Sequence, residues 1–290
     1  MALKVFDPAF LANFDDATQI NRIDRQLKLK GQHHDHLIDI NEGRYCKESN
    51  FHFLLMPFLE APILEKIIDK VLVNRIWPLI SQVASCARFL EELELTHRDI
   101  KPANIAVTEN FETATLLDLR VVRPLGLSDL TDSTDKRPFV GTARYSPPEF
   151  LIREMDDSPE SWRAVTFCQL GAVLYDLIVR TLLFADRMQT YQRFVKAVLL
   201  EDVEISNDDI SAELVRLAKS CLVKDPGKRL RLVSWESFSP KPPTSESIAE
   251  LKSKISQIRA AQQLRSSPNS KVISNVKLDE HVKSLAEQLK

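Results

Sequence analysis

The sequence predicts an α+β fold in which a short, strand-containing part precedes a larger helical body. Strand-like apolar runs occupy residues 2–6, 37–40 and 51–56, and a helical stretch that ends near Gly31 separates the first two. A polar turn is predicted at residues 41–43, directly after the second run. From residue 62 to about residue 235, apolar residues recur instead at the three- and four-residue steps of helices. The chain has 290 residues, of which 44% are hydrophobic, so it can bury a core of this size.

The helical body is expected to contain four main helices and one long polar segment. Apolar spacing predicts the helices at residues 79–93, 162–178, 190–200 and 210–222, and Pro78 suits the first turn of the first helix. The polar segment, residues 96–160, holds two short strand-like runs at 105–107 and 114–117. Loops of this length inside a compact domain usually serve function, so we look for chemistry there.

Composition divides the chain into residues 1–60, 61–238 and 239–290. Past residue 238 the sequence is rich in Ser, Pro and Lys, which is typical of a linker and tail. Within the tail, residues 248–264 have the spacing of an exposed helix. This helix is expected either to remain solvated or to dock on a protein partner.

Charge and cysteine content limit the functional classes. The formal net charge is −2 and the pI is about 6.3, which argues against nucleic acid or an anionic membrane as the main partner. The sequence has no apolar run of about 18 residues, and its first residues do not resemble a signal peptide. The four cysteines are widely spaced, which fits a reducing compartment. We therefore expect a cytoplasmic protein, or a nuclear one.

The run HRDIKPAN at residues 97–104 carries the strongest chemical signal. Transfer of a phosphoryl group to a hydroxyl requires a carboxylate to orient the nucleophile and a cation to offset the developing charge. It also requires an oxygen ligand for a magnesium ion. Asp99, Lys101 and Asn104 supply these three groups within eight residues.

With these residues the chain resembles the eukaryotic-type Ser/Thr protein kinases, and the resemblance covers roughly residues 2–236. It implies a kinase-like bilobal fold with a helical C-lobe, use of ATP and Mg²⁺, and a protein substrate with a Ser or Thr acceptor. Asp99 and Lys101 would be the catalytic residues. A lysine two positions after the aspartate marks the Ser/Thr branch, as does Thr142 in the later run GTARYSPPE.

Other landmarks of the family follow in the expected order. The run LDLR at residues 117–120 stands where kinases carry Asp-Phe-Gly, so the resemblance implies that Asp118 holds Mg²⁺ together with Asn104. Glu149 and Arg229 match an ion pair of the C-lobe, for which we expect a structural role. In the family an aspartate braces the catalytic loop, which corresponds to residues 97–104 here. This chain has Thr166 in its place, and a hydroxyl is expected to give only part of that support.

The N-terminal part matches the family less completely. The resemblance makes Lys4 the lysine that binds the phosphates of ATP, and Asp24 stands nearest to the position of its usual glutamate partner. Met56 falls at the gatekeeper position, and Pro57 and Leu59 fall in the hinge that binds adenine through backbone groups. The two strands and the glycine-rich loop that precede this lysine in kinases are absent. The N-lobe sheet is therefore expected to be incomplete, in a chain that is either truncated or degenerate.

Two functions remain open at this stage. Retention of the catalytic and metal-binding set favours ATP-dependent transfer to protein serine or threonine. The missing glycine-rich loop, Arg120 in place of glycine and Thr166 in place of aspartate favour a pseudokinase, a nucleotide-binding or scaffold module without turnover. The run HHDH at residues 33–36 is interpreted as a turn between helix and strand, with metal binding as the alternative.

Overall fold

The computed structural model describes residues 1–6, 26–27, 29–46, 51–118, 123–124 and 142–239, with only the backbone of 123–124. They belong to a compact unit that extends from Met1 to Pro240. A second unit, Lys241–Lys290, lies outside the described residues. The same is true of the predicted tail helix and of most of the helix predicted before Gly31.

A three-stranded antiparallel sheet forms the N-terminal part. Its strands are β1 (Ala2–Phe6), β2 (Glu42–Cys46) and β3 (Phe51–Met56), in the spatial order β1-β3-β2. The predictions of β1 and β3 are confirmed. Lys4 lies opposite Leu54 on the central strand, which fixes the position of its side chain relative to the rest of the sheet.

The strand predicted at residues 37–40 is wrong, and so is the turn predicted at residues 41–43. Leu37 makes only an isolated bridge with Leu116, and Leu37, Ile38 and Ile40 are all buried in the helical core. This burial lacks the alternation of a half-exposed strand. β2 begins where the turn was expected, and a Cβ on Gly43 would lie 2.4 Å from a methyl carbon of Leu54. The glycine therefore allows close strand packing.

Six helices lie wholly within the described residues, residues 26–27 are also helical, and short 3₁₀ turns occur between some of these helices. The six helices are α1 (Val73–Glu92), α2 (Pro148–Leu151), α3 (Pro159–Val179), α4 (Tyr191–Leu200), α5 (Ala212–Cys221) and α6 (Pro226–Leu232). The four predicted helices are confirmed as α1, α3, α4 and α5. Helix α1 begins earlier than predicted. The prediction missed its first residues because Val73, and Leu72 before it, are exposed and do not continue the apolar pattern from which the helix was predicted. Pro78 consequently lies in the second turn rather than the first.

Helix α3 is the centre of the core. It packs against α1, α5 and α6, and most of its residues are buried on every side. By length and composition it is the one helix among the described residues that passes the test for crossing a membrane, but 83% of its apolar window is buried inside the protein. A helix that is apolar all round belongs to a protein core or to a membrane, and the packing shows the first of these.

Short strands position the segments that carry the sequence motif. Strand β4 (Leu95–Thr96) pairs with β7 (Arg123–Pro124), and β5 (Ile105–Val107) pairs with β6 (Ala114–Leu116). The two predicted strands of the polar segment are thus confirmed as β5 and β6. Residues 97–104 connect β4 to β5, and residue 118 follows β6. The α+β architecture expected from the sequence is confirmed.

Candidate active site

Asp99 is held by its own loop and retains one carboxylate oxygen that accepts no hydrogen bond. Its Oδ2 lies 2.8 Å from Lys101 Nζ and accepts a 3.1 Å hydrogen bond from Asn104 Nδ2. Asn104 Nδ2 also donates to the backbone oxygen of Asp99 at 2.8 Å, across the 3₁₀ turn Pro102–Asn104. Asp99 Oδ1 is buried and accepts from no donor in the part of the chain that the structure describes. The loop therefore presents an oriented acceptor.

His97 joins the catalytic loop to the segment that carries Asp118. Its Nε2 donates to the backbone oxygen of Leu117 at 2.8 Å, and its Nδ1 accepts a 3.4 Å hydrogen bond from the Asp99 N–H. Burial lowers the pKa of His97, so the imidazole is neutral with one donor and one acceptor, as these contacts require. The sequence analysis quoted His97 in the motif but gave its side chain no role.

Asp118 meets the catalytic loop on one side and Lys4 on the other. The Leu117 N–H donates to the backbone oxygen of Asn104 at 2.8 Å, which places these segments side by side. Lys4 Nζ lies 2.9 Å from Asp118 Oδ1, and both side chains are about one-fifth exposed. The structure thus brings together Lys4, Asp118 and the catalytic loop, which are far apart in the sequence.

The donor set suits a magnesium ion. Asp118 offers a carboxylate and Asn104 an amide oxygen, and both are hard oxygen ligands of the kind that Mg²⁺ prefers. Asn104 uses its Nδ2 toward Asp99, and its Oδ1 accepts no hydrogen bond from the described residues. Asp118 has a left-handed backbone with φ of 58°, a conformation that aspartate tolerates better than most residues.

Lys101 connects the catalytic loop to the segment that follows residue 141. Its Nζ donates to Thr142 Oγ1 at 2.5 Å while it remains 2.8 Å from the Asp99 carboxylate. The cation therefore lies between the carboxylate and the Thr142 hydroxyl. Lys101 and Thr142, the two residues typical of the Ser/Thr branch, therefore contact each other.

The gatekeeper and the two hinge positions expected from the resemblance lie at the end of the sheet. Met56 is the last residue of β3 and pairs with Ala2, and Met56 and Leu59 both pack against the main core. Pro57 and Leu59 belong to an irregular stretch after the strand. Two other positions singled out in the sequence, Asp24 and Arg120, lie outside the described residues.

Gln169 braces the catalytic loop, a role that the sequence analysis did not assign. Thr166 was expected to give partial support, but its Oγ1 donates to the backbone oxygen of Trp162 within its own helix, at 2.9 Å. One helical turn later, Gln169 Oε1 accepts from the Ile100 N–H at 3.2 Å and Nε2 donates to the Arg98 backbone oxygen at 2.8 Å. Gln169 therefore holds the backbone on both sides of Asp99.

We expect Gln169→Leu to lower both stability and phosphoryl transfer. The change strands a buried N–H and a buried carbonyl, so the free energy of unfolding should fall by about 1–3 kcal/mol. Thr166→Val is the matched control on the same helix, because it removes one intrahelical contact only. Urea melts and transfer rates of both variants check this, and equal rates for Gln169→Leu and the parent would exclude the brace.

Tyr145 and Asp176 attach the segment after residue 141 to helix α3. Tyr145 Oη donates to Asp176 Oδ2 at 2.7 Å, and the Leu183 N–H donates to Oδ1 at 2.7 Å. Asp176 is completely buried. Burial raises the pKa of Asp176 to about 7, because the carboxylate form is poorly solvated there.

This buried carboxyl gives a prediction for pH dependence. A folded-state pKa above the unfolded value means that the native state holds the proton more tightly, so its contribution to stability is complete below about pH 4. That contribution is lost as the pH rises through about 7, and it is on the order of 4 kcal/mol. Asp176→Asn, which keeps the shape, should flatten this part of the stability profile. Urea melts between pH 5 and 8 compare the two slopes, and parallel profiles would contradict the assignment.

Glu149 and Arg229 form the ion pair expected from the sequence. Arg229 Nη1 lies 2.6 Å from Glu149 Oε1 and also donates to the backbone oxygen of Ala164 at 3.0 Å. The Arg229 side chain is fully buried and that of Glu149 is nearly so. The pair joins helices α2, α3 and α6 and lies apart from the catalytic loop, which agrees with a structural role.

The histidine run 33–36 makes local contacts. His33 Nδ1 lies 3.1 Å from Asp39 Oδ1, and His34 Nε2 lies 3.1 Å from Ser85 Oγ. The described residues contain no group of three or more His, Cys, Asp or Glu side chains that could hold a metal ion. These contacts support the interpretation of the run as a turn.

Comparison with known proteins identifies the same family as the motif. A family model described as a protein kinase domain matches residues 1–242. Aurora kinase of Eremothecium gossypii is 31% identical over 157 residues, which are 53% of this chain and 38% of that protein. Mitogen-activated protein kinase 13 of Mus musculus is 26% identical over 162 residues, 54% of this chain and 41% of that protein.

A third relative extends the same picture. RAC-beta serine/threonine-protein kinase A of Xenopus laevis is 27% identical over 150 residues, which are 52% of this chain and 28% of that protein. The matched part of the chain spans less than half the length of each of these three relatives. The family and the kinase-like fold expected from the sequence are confirmed.

Proposed function

The chain belongs to the protein kinase family, and on that premise we propose that it transfers the γ-phosphoryl group of ATP to serine and threonine side chains of proteins. The observation that carries the proposal is the buried Oδ1 of Asp99, an acceptor without a donor in the described part of the molecule. Its partner oxygen is held by Lys101 and Asn104. A substrate hydroxyl is the donor that this arrangement fits.

The residues divide the reaction between them. Asp99 orients the hydroxyl and takes its proton as the oxygen attacks the γ-phosphorus and the bond to the leaving oxygen of ADP breaks. Lys101 offsets the negative charge on the phosphoryl group in transit, and Asn104 and Asp118 would hold Mg²⁺. When bound there, the ion would supply positive charge that offsets the charge on the phosphate oxygens.

Nucleotide binding rests on the sheet and the hinge. Lys4 lies beside Asp118 and supplies a cation for the phosphates. Pro57 has no N–H but keeps its carbonyl, and the Leu59 N–H donates to no backbone acceptor among the described residues. These backbone groups suit the edge of adenine, and the apolar Met56 beside them suits its ring.

A nucleotide-binding module without turnover is the second candidate. The feature that favours it within the described residues is Thr166, which does not reach the catalytic loop. Gln169 makes the contacts that Thr166 lacks, so this feature alone does not weaken the case for catalysis. The two functions then differ only in whether the phosphoryl group is transferred from bound ATP to a protein.

Two measurements on the full chain distinguish these functions. A thermal-shift assay with ATP and Mg²⁺ reports binding, and transfer of label from [γ-³²P]ATP to a mixed protein substrate reports turnover. We expect both signals, and we expect chelation of Mg²⁺ to remove the transfer. A thermal shift without transfer would favour the binding module, and absence of both would contradict the assigned nucleotide site.

A further inference from the structure

Arg144 places a cation close in the chain to the residues of the acceptor site. It lies in the 3₁₀ turn Ala143–Tyr145, two residues after the Thr142 that contacts Lys101. The residue as a whole is half-buried, and no carboxylate of the described residues forms an ion pair with it. Asp176 is close enough for Arg144 to lower its pKa. Both oxygens of Asp176, however, already accept from Tyr145 and from the Leu183 N–H.

A second cation faces the same cleft. Lys224 Nζ donates to the backbone oxygen of Val198 at 2.7 Å and lies 5.4 Å from the centre of the Phe184 ring. Burial lowers the pKa of Lys224, which indicates that its charge is only partly solvated. Arg144 and Lys224 line one cleft, and its lining residues include neither Asp nor Glu. The lining itself therefore supplies two cations, while the carboxylates near enough to interact with them, Asp176, Glu201 and Asp202, are not part of the lining.

The geometry limits where a substrate would meet this cleft. A substrate hydroxyl must reach Asp99, and Lys101 links Asp99 to Thr142 through contacts of 2.8 and 2.5 Å. With two further residues and one arginine side chain, the path from Asp99 to the end of the Arg144 side chain is roughly 10–15 Å long. An extended peptide advances about 3.3 Å per residue. The group that reaches Arg144 is therefore about two to four residues from the acceptor.

We propose that Arg144, assisted by Lys224, selects protein substrates that carry an anionic side chain two to four residues from the phosphorylated serine or threonine. A guanidinium binds a carboxylate or a phosphate through two parallel hydrogen bonds, which makes arginine suited to this recognition. That the bound protein is also a substrate rests on the proposed function. The preference for an anion follows from the cleft alone and requires no turnover.

Binding of peptides to the full chain tests the proposal without catalysis. Four fluorescent peptides carry Ala at the acceptor position and, at the positions two to four residues away, Ala, Asp, phosphoserine or Arg. Anisotropy titrations should give dissociation constants about tenfold lower for one or both anionic peptides than for the Ala peptide. Raising the salt to about 0.5 M should reduce this difference, because ions screen exposed charges. The tighter of the Asp and phosphoserine peptides identifies the preferred anion.

Substitution of Arg144 separates recognition from folding. Arg144→Gln should bring the ratio of the Ala and Asp dissociation constants close to one, and Arg144→Glu should make the Arg peptide the tightest ligand. Loss of structure alone would not reverse the preference. Arg216→Ala, an exposed site on α5 outside the cleft, is the control and should keep the parental ratio.

The outcomes divide clearly between the two proposals. Equal binding of all four peptides by the parent, or an unchanged preference in Arg144→Gln, would overturn the role of Arg144. Anionic preference without phosphoryl transfer would contradict the proposed function and support the cleft. Phosphoryl transfer to peptides, combined with no preference for anionic peptides, would support the proposed function and contradict the role of the cleft.

Discussion

Asp99→Asn is expected to lower phosphoryl transfer by about 10²–10⁴-fold and to leave Mg-ATP binding nearly unchanged. The carboxylate is proposed to act on the acceptor hydroxyl, and the proposed metal ligands Asn104 and Asp118 are separate side chains. Asparagine preserves the shape of the site but cannot take a proton. Binding and chemistry should therefore separate in this variant.

Two assays in parallel measure this separation. Label transfer gives the rate, and a thermal shift with Mg-ATP gives the binding. Asp208→Asn, at an exposed position far along the chain, controls for the change of charge. Transfer by Asp99→Asn at the parental rate would remove Asp99 from the reaction, and a parallel loss of nucleotide binding would show that Asp99 supports the metal site instead.

Arg229→Ala is expected to give the largest loss of stability, about 3–5 kcal/mol in the free energy of unfolding. The Arg229 side chain is fully buried, and its removal leaves the carboxylate of Glu149 without its partner. It also strands the backbone oxygens of Ala164 and Val223, which the guanidinium now satisfies. The loss thus includes an unpaired charge and two buried acceptors.

Urea denaturation measures this loss directly. Arg231→Ala, on an exposed position of the same helix α6, is the control and should change the unfolding free energy by less than about 0.5 kcal/mol. A loss of less than about 1 kcal/mol for Arg229→Ala would mean that water reaches the pair. Glu149→Gln tests the same pair from its other side.

The parts of the site that were predicted from sequence are those in which the chemistry fixes residue types at short spacing. Asp99, Lys101 and Asn104 fall within one loop, so their contacts follow from a single 3₁₀ turn. The strand predicted at residues 37–40 failed for a different reason. Its apolar residues are buried by a connecting segment that packs on the helical core, and composition alone does not separate that case from a strand.

Gln169 could not be assigned from sequence because its role depends on contacts between distant segments. It lies 69 residues from Ile100, and only the packing of α3 behind the catalytic loop shows which residue of the helix meets the backbone there. The sequence pointed to Thr166, one turn earlier on the same helix. The spacing of three residues keeps both on one helix face, and this shared face is the feature of the sequence that points from Thr166 to Gln169.

We propose that residues from the sheet and the catalytic loop form one site for phosphoryl transfer to serine and threonine. The most direct test incubates the full chain with Mg-ATP and three peptides that differ only in a Ser, Thr or Tyr acceptor, and locates the added phosphate by tandem mass spectrometry. The account predicts phosphate on the Ser and Thr peptides, none on the Tyr peptide, and none on any peptide with Asp99→Asn. Nucleotide binding without phosphate on any peptide, or equal modification by Asp99→Asn, would contradict it.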